Sequence, residues 1–176
     1  MRLAFENFFG EKGFTVIELL VVFSLTAVVS SLGIVSFVSY SRTQQLVQSA
    51  NQTKLLIQEA KFSALSSVKP SNTPDGSASN CTSGVSLLGY RVTVNEGTGN
   101  LDLSLLCSNG QATAIKTIEL PNSLSFDQVL TTCTHISFDA LTSQATGSPL
   151  PCDIVITGFS MEKTVSIDLG GNIAIQ

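Results

Sequence analysis

Apolar and polar positions divide the chain into three stretches of different character. From Phe14 to Val38 the residues form one long apolar run in which Glu18 is the only charge. As a helix, this run would extend about 37 Å, more than the ~30 Å hydrocarbon core of a bilayer, whereas a secretory apolar region is usually about 7–15 residues. The pattern therefore predicts a spanning helix over 14–38. No small-x-small cleavage site follows it. The chain continues as VSYSRTQQLVQSANQTKLLIQEAKFSALSSV, with neither Pro nor Gly. In this second stretch Leu46, Ala50, Thr53, Ile57, Ala60 and Ala64 recur at spacings of four and three, while Gln48, Gln52, Gln58 and Lys61 fall elsewhere. A single helix over 14 to about 66 follows, roughly 80 Å long, apolar all round at first and amphipathic over 39–66. The small residues of the stripe favour close packing on a sheet over a coiled coil.

At Pro70 the pattern changes class. The segment PSNTPDGSASNCTSG to Gly84 reads as a long loop. Beyond it, β-rich runs predict strands at Val85–Asn95, Leu101–Cys107, Thr113–Leu120, Thr134–Asp139, Asp153–Phe159, Thr164–Leu169 and Asn172–Ile175. In YRVTVN, Tyr90, Val92 and Val94 alternate with Arg91, Thr93 and Asn95, so one face packs and the other meets solvent. LDLSL repeats this alternation. The EGTGN segment supplies a short hairpin loop, and Gly170-Gly171 a two-residue turn. The expected class is α+β: a long N-terminal helix packed on an antiparallel β-rich domain over 67–176.

Composition narrows the setting. Only 12% of the 176 residues are charged and 43% are apolar, enough for one domain's core plus a membrane segment. A net charge of −4 gives no positive field to attract a polyanion, so nucleic acid is not expected as a partner. Arg91, Lys116 and Lys163 read as solvated strand residues. The four cysteines, Cys81, Cys107, Cys133 and Cys152, all lie beyond the apolar run and form no C-x-x-C pair. Two disulfides in an oxidising compartment fit them better than zinc or redox chemistry. Three pairings are possible. The sequential one, Cys81 with Cys107 and Cys133 with Cys152, closes loops around neighbouring strands and is the expectation, whereas a crossed pairing would require a different strand order. No metal site, cofactor or catalytic group is expected. His135 is the only histidine and reads as a strand-surface residue. The chain has no nucleophile elbow and no glycine-rich phosphate loop.

The most specific signal lies at the start of the apolar run. Lys12-Gly13 is followed by Phe14-Thr15-Val16-Ile17-Glu18-Leu19-Leu20-Val21-Val22. This segment resembles the cleavage and methylation motif of type IV prepilins and type II secretion pseudopilins. The resemblance implies a pilin-like fold. It also implies a cytoplasmic leader over 1–13, cleavage between Gly13 and Phe14 by a membrane-embedded prepilin peptidase, and N-methylation of Phe14. The partners it implies are other pilin or pseudopilin subunits and an inner-membrane assembly platform, with membrane lipid before assembly. The N-terminus would be cytoplasmic and the C-terminal domain extracytoplasmic. Charge alone does not set that orientation, because Glu6 and Glu11 offset Arg2 and Lys12.

Glu18 stands out on physical grounds as well. An ionisable group in a span costs on the order of a few kcal/mol and usually has a partner. Cleavage would create one, the Phe14 amine of a neighbouring subunit, and the pair would set the axial register between subunits. A snorkelling carboxylate, or one paired with its own helix N-terminus, is the plainer alternative. Ser24, Thr26, Ser30, Ser31 and Gly33 would permit close helix approach, or are simply tolerated in a single-pass anchor. The span contains no proline, unlike many major pilins, which points to a minor subunit.

Residues 135–176, ISFDALTSQATG to KTVSIDLGGNIAIQ, are similar to the C-terminal half of the general secretion pathway protein H group, from which Pro149-Leu150-Pro151-Cys152 departs. The leading expectation is a minor pseudopilin of a type II secretion system. The alternatives are a minor pilin of a type IV pilus serving adhesion, motility or DNA uptake, and a membrane-anchored binding domain unrelated to filaments.

Overall fold

A computed structural model describes residues 14–67, 81, 84–142, 144–147 and 149–176, with only the backbone of 31–33. The expected leader 1–13, including the expected cleavage residue Gly13, lies outside the described residues, as does most of the segment 70–84 expected to be a loop. Contacts within the chain separate it into two compact units that part between Ser41 and Arg42.

In the first unit, α1 (Val16–Ser66) begins one residue after Thr15, whose hydroxyl accepts a hydrogen bond from the Glu18 amide at 3.2 Å. Thr15 is therefore the N-cap, and it satisfies one of the amides that a helix start leaves unpaired. From Phe14 to Tyr40 the described side chains are exposed, the large apolar ones included. The Ser24 hydroxyl donates to the Val21 carbonyl at 2.8 Å, and Thr26 donates to those of Val22 and Phe23, each at 2.9 Å. Both hydroxyls are satisfied within their own helix, which is what a polar group needs in an apolar surrounding.

In the second unit the rest of α1 turns its stripe inward. Leu46, Ala50, Thr53, Ile57, Ala60 and Ala64 are all buried, with Ser49 and Leu56 beside them. They share one core with two antiparallel sheets. The first has the order β3-β2-β1-β5-β6, from β1 (Leu87–Asn95), β2 (Asn100–Cys107), β3 (Ala112–Glu119), β5 (His135–Asp139) and β6 (Ala145–Gly147). The second has the order β4-β7-β8-β9, from β4 (Ser125–Phe126), β7 (Cys152–Gly158), β8 (Met161–Ile167) and β9 (Ile173–Ile175). Alternation selects the inner face: Tyr90, Val92 and Val94 on β1, with Leu101, Leu103 and Leu105 on β2, are buried while their neighbours face outward.

Two sequence expectations need correction. The short strands β4 and β6 lie in segments with no strand pattern. The two-residue turn is not at Gly170-Gly171, because β8 and β9 pair Ile167 with Ile173 and leave Asp168–Asn172 as the connecting loop. A two-residue turn instead joins β7 to β8, where Gly158 pairs with Met161 across Phe159 and Ser160, both at positive φ (56° and 61°). That conformation suits a type I′ hairpin, whose usual residues are Asn and Gly. The Arg42 guanidinium lies 5.2 Å from the Phe159 ring centre and holds the turn against α1.

Gly89 allows the closest strand approach. A Cβ there would fall 2.2 Å from the Phe138 carbonyl oxygen, a backbone atom that cannot rotate away.

Candidate functional site

The site residues expected from the sequence fall in both units. Phe14 is exposed just before the first turn of α1, and Glu18 is exposed within that turn. Thr15, Val16, Ile17 and Glu18 have the form of a capping box, in which a Thr cap precedes an acidic residue three positions on. The Thr15 half of that motif is formed, through the Glu18 amide. The Glu18 carboxylate has no hydrogen-bond or ion-pair partner among the described residues, so its charge remains available at the helix N-terminus, where the helix dipole favours an anion. Thr15 is the residue that the sequence reading overlooked, and the T-x-x-E spacing was the signal that could have found it.

The cysteines pair as Cys81–Cys107 and Cys133–Cys152. Cys107 ends β2, and its bond fixes the segment ahead of β1 to that strand. The second bond has a different reach: Cys133 leads into β5 of one sheet, and Cys152 begins β7 of the other. The same seam carries hydrogen bonds from Thr132 N to Asp153 O at 2.8 Å, from Asp153 N to Thr132 Oγ1 at 2.9 Å and from Val155 N to Thr131 Oγ1 at 3.1 Å. Together these join the two sheets.

The basic strand residues are held locally. Arg91 donates from Nε to Ser137 Oγ at 3.0 Å, and Lys116 pairs with Glu59 of α1 at 2.6 Å. Both members of that ion pair are about half exposed (48% and 46%), so it stabilises by no more than about 1 kcal/mol. His135 is half-buried on β5, with Nδ1 3.2 Å from Thr134 Oγ1. No group of three or more His, Cys, Asp or Glu residues among the described residues is arranged to hold a metal ion.

Among the described residues beyond the apolar run, Tyr90 and Asp168 depart from their ordinary pKa values. Burial pushes the Tyr90 hydroxyl up. The Asp168 carboxyl is held below its ordinary value, chiefly by the Asn172 backbone amide, which donates to Oδ1 at 2.8 Å, and then by the Asn172 side chain, which donates to Oδ2 at 2.8 Å. Beside it, Lys61 Nζ donates to the carbonyls of Gly171 at 2.9 Å and Gly170 at 3.3 Å. These bonds anchor the β8–β9 loop to α1.

The first part of α1 is long and apolar enough to cross a membrane. No family model and no curated protein sequence matches the chain. Among solved structures the chain is similar to the minor pseudopilin EpsH from the type 2 secretion system of Vibrio cholerae. The TM-score is 0.51 at 11% sequence identity, over 75% of this chain and 96% of that one. At that identity the likeness is one of fold, and it shows that this chain has the pilin-like α+β architecture of a minor pseudopilin.

Proposed function

We propose that the chain is a minor pseudopilin, a structural subunit of a type II secretion pseudopilus with no catalytic role of its own. In this reading residues 1–13 are a cytoplasmic leader removed by a prepilin peptidase, and Phe14 becomes the methylated N-terminus. Residues 14–38 lie in the membrane before assembly and in the filament core afterwards. The unit from Arg42 onward is extracytoplasmic, which suits its two disulfides. The observation that carries the reading is the start of α1: an apolar helix whose described side chains are exposed and whose first turn holds one carboxylate, Glu18, with no partner among the described residues. In an apolar bundle such an anion would be favoured by a cation, and the amine freed at Phe14 of a neighbouring subunit would supply it. The likeness in fold to EpsH supports a pilin-like or pseudopilin subunit, and a minor pilin of a type IV pilus is the second reading.

Co-expression with a prepilin peptidase tests the proposal. Intact-mass analysis should show loss of the 13 leader residues and one added methyl group on Phe14. A chain that keeps its full mass beside an active peptidase would refute the reading.

A further inference from the structure

Each disulfide closes over one hairpin. Between Cys81 and Cys107, 26 residues apart, lie β1 and β2, and their ladder sets Cys107 opposite Leu87, shortly after Cys81 in the chain. Ser108 N donates to Ser86 O at 2.9 Å and Ser86 N to Ser108 Oγ at 3.1 Å, which extends that pairing toward Cys81. Between Cys133 and Cys152, 19 residues apart, lie β5 and β6, which pair Ile136 with Gly147 and so return the chain toward Cys133. In both cases the strands that bring the sulfurs together belong to the loop that the bond closes.

Crossed pairing has no such template. Cys107 and Cys133 are as far apart in sequence as Cys81 and Cys107, so loop-closure entropy does not separate these two choices. The segment between Cys107 and Cys133 holds β3 and β4, which lie in different sheets and do not pair with each other. The remaining pairings close longer loops. Selection therefore comes from hairpin register rather than from distance along the chain.

Timing follows from burial. The four cysteines are at most 3% exposed, whereas thiol–disulfide exchange needs one sulfur to approach another directly. An enzyme cannot reach these sulfurs once the sheets have closed around the core, but on separate hairpins they are open to it. The β1–β5 ladder, which joins the two hairpins, belongs to the later step.

We propose that a protein dithiol oxidase outside the cytoplasm forms each bond on its own hairpin before the sheets join, and that no disulfide isomerase is needed. This rests on the extracytoplasmic placement of the unit in the proposed function. A cysteine thiolate attacks the oxidant's disulfide to give a mixed disulfide, and the second thiolate of the same hairpin displaces the oxidant's sulfur. The electron pair passes to the oxidant, which leaves as a dithiol carrying both protons.

For the test, the full-length chain is pulse-labelled in a bacterial host, quenched in acid, alkylated and mapped without reduction. The first one-bond species should hold Cys81–Cys107 or Cys133–Cys152, with crossed bonds roughly tenfold rarer. Deleting the host's extracytoplasmic thiol oxidase should lower the native bonds by roughly fivefold or more, and deleting its disulfide isomerase should change them by less than about twofold. Gly99→Val probes the template. Gly99 sits at φ 70° in the β1–β2 turn, where a β-branched residue is strained, while a Cβ there meets only ordinary contact with Leu120. The variant should slow Cys81–Cys107 closure by roughly threefold or more and leave Cys133–Cys152 unchanged. Should its final fold fail, the cysteine variants still decide: Cys133→Ser with Cys152→Ser should form Cys81–Cys107 at the parental rate, and Cys81→Ser with Cys107→Ser should do the same for Cys133–Cys152. Crossed bonds appearing first, a need for the isomerase, normal bonds without the oxidase, or Gly99→Val slowing both bonds alike or neither would overturn the proposal. Leader removal, read by intact mass in the same cells, tests the pseudopilin reading separately.

Discussion

Phe14–Ser41 and Arg42–Gln176 are both rich in Leu, Val and Ile, yet these residues are placed in opposite ways. In the first region the described ones are exposed, and none of the described apolar window is buried within the chain. In the second, Leu46, Ile57, Leu101, Ile154 and Ile167 are at most 2% exposed. The second region carries the devices that specify a fold: alternation on strands, turns, two disulfides and a stripe of small residues on α1. The first has a Thr cap, hydroxyls bonded to their own helix and one carboxylate. Its apolar surface fits an environment that other molecules provide, lipid or neighbouring helices, whereas the second region supplies its own interior.

The largest expected effect would break this contrast at its one polar point. Glu18→Ala should leave membrane insertion intact, since removing a charge from a span only eases it. Assembly with partner subunits should weaken by several kcal/mol where the lost pair was fully desolvated, because a buried amine would be left uncompensated. Cross-linking or pull-down against other pilin-like subunits, beside a fractionation control, measures both. An alanine variant that fractionates and assembles like the wild type would reduce Glu18 to a favourable charge at a helix N-terminus.

The second effect belongs to the other region. Replacing Cys133 and Cys152 together by Ala removes the covalent tie between the sheets, and the 19-residue separation predicts a loss of about 3 kcal/mol. Denaturant unfolding of the full chain, followed by the β-sheet signal, should show the midpoint falling while the helical signal of the apolar segment persists in detergent. An unchanged midpoint would mean that the hydrogen bonds of the Thr131–Val155 seam already suffice.

The strongly periodic elements were legible in the sequence. The six stripe positions from Leu46 to Ala64 are all buried, and Tyr90, Val92 and Val94 face inward, because periods of 3.6 and 2 leave little freedom once a core exists. Elements held by tertiary contacts were not legible. β4 is two residues long and exists because Ser125 and Phe126 meet Thr157 and Ile156, while β6 pairs through Ala145–Gly147, too short and too small to show a pattern. Gly170-Gly171 do lie in a tight turn, closed by Gly171 N donating to Asp168 O at 2.9 Å with Gly171 at φ 68°, but the connection is longer than two residues; the two-residue turn is Phe159-Ser160, with the Arg42 guanidinium against the Phe159 ring. Turn composition was outweighed there by a contact distant in sequence. At the candidate site, Glu18 was visible as a charge in an apolar run. The capping role of Thr15 is not carried by hydropathy, because a single hydroxyl at the edge of an apolar run leaves the apolar pattern unchanged and shows its role only through its bond to the Glu18 amide.

A smaller effect tests how complete the core is. Thr53 is 1% exposed on the inward stripe, and its hydroxyl has no hydrogen-bond partner among the described residues. Thr53→Val keeps the branched shape and removes an unsatisfied polar atom, so it should stabilise the second unit by about 1 kcal/mol. The unfolding midpoint should rise. A fall would mean that a water or a rotated hydroxyl satisfies the group in solution.

The smallest effect concerns the loop that α1 holds through Lys61. The Asp168 carboxyl titrates below its ordinary value because the Asn172 amide and side chain donate to its charged form. A folded-state value lowered in this way gives stability that is present above the unfolded-state value, about 3.9 for Asp, and is lost as pH falls through the lowered one. The group is fully exposed, so the contribution is small and is best read locally. The chemical shift of the Asn172 amide proton, followed from neutral pH downward, should show a midpoint below that of a free aspartate. In Asp168→Asn that titration should vanish, and the stability gap between variant and wild type should close as the medium becomes acidic. A midpoint at or above the ordinary value would show that solvent competes successfully for the Asp168 carboxylate. The anchoring of the β8–β9 loop would then rest on Lys61 and its two carbonyls alone.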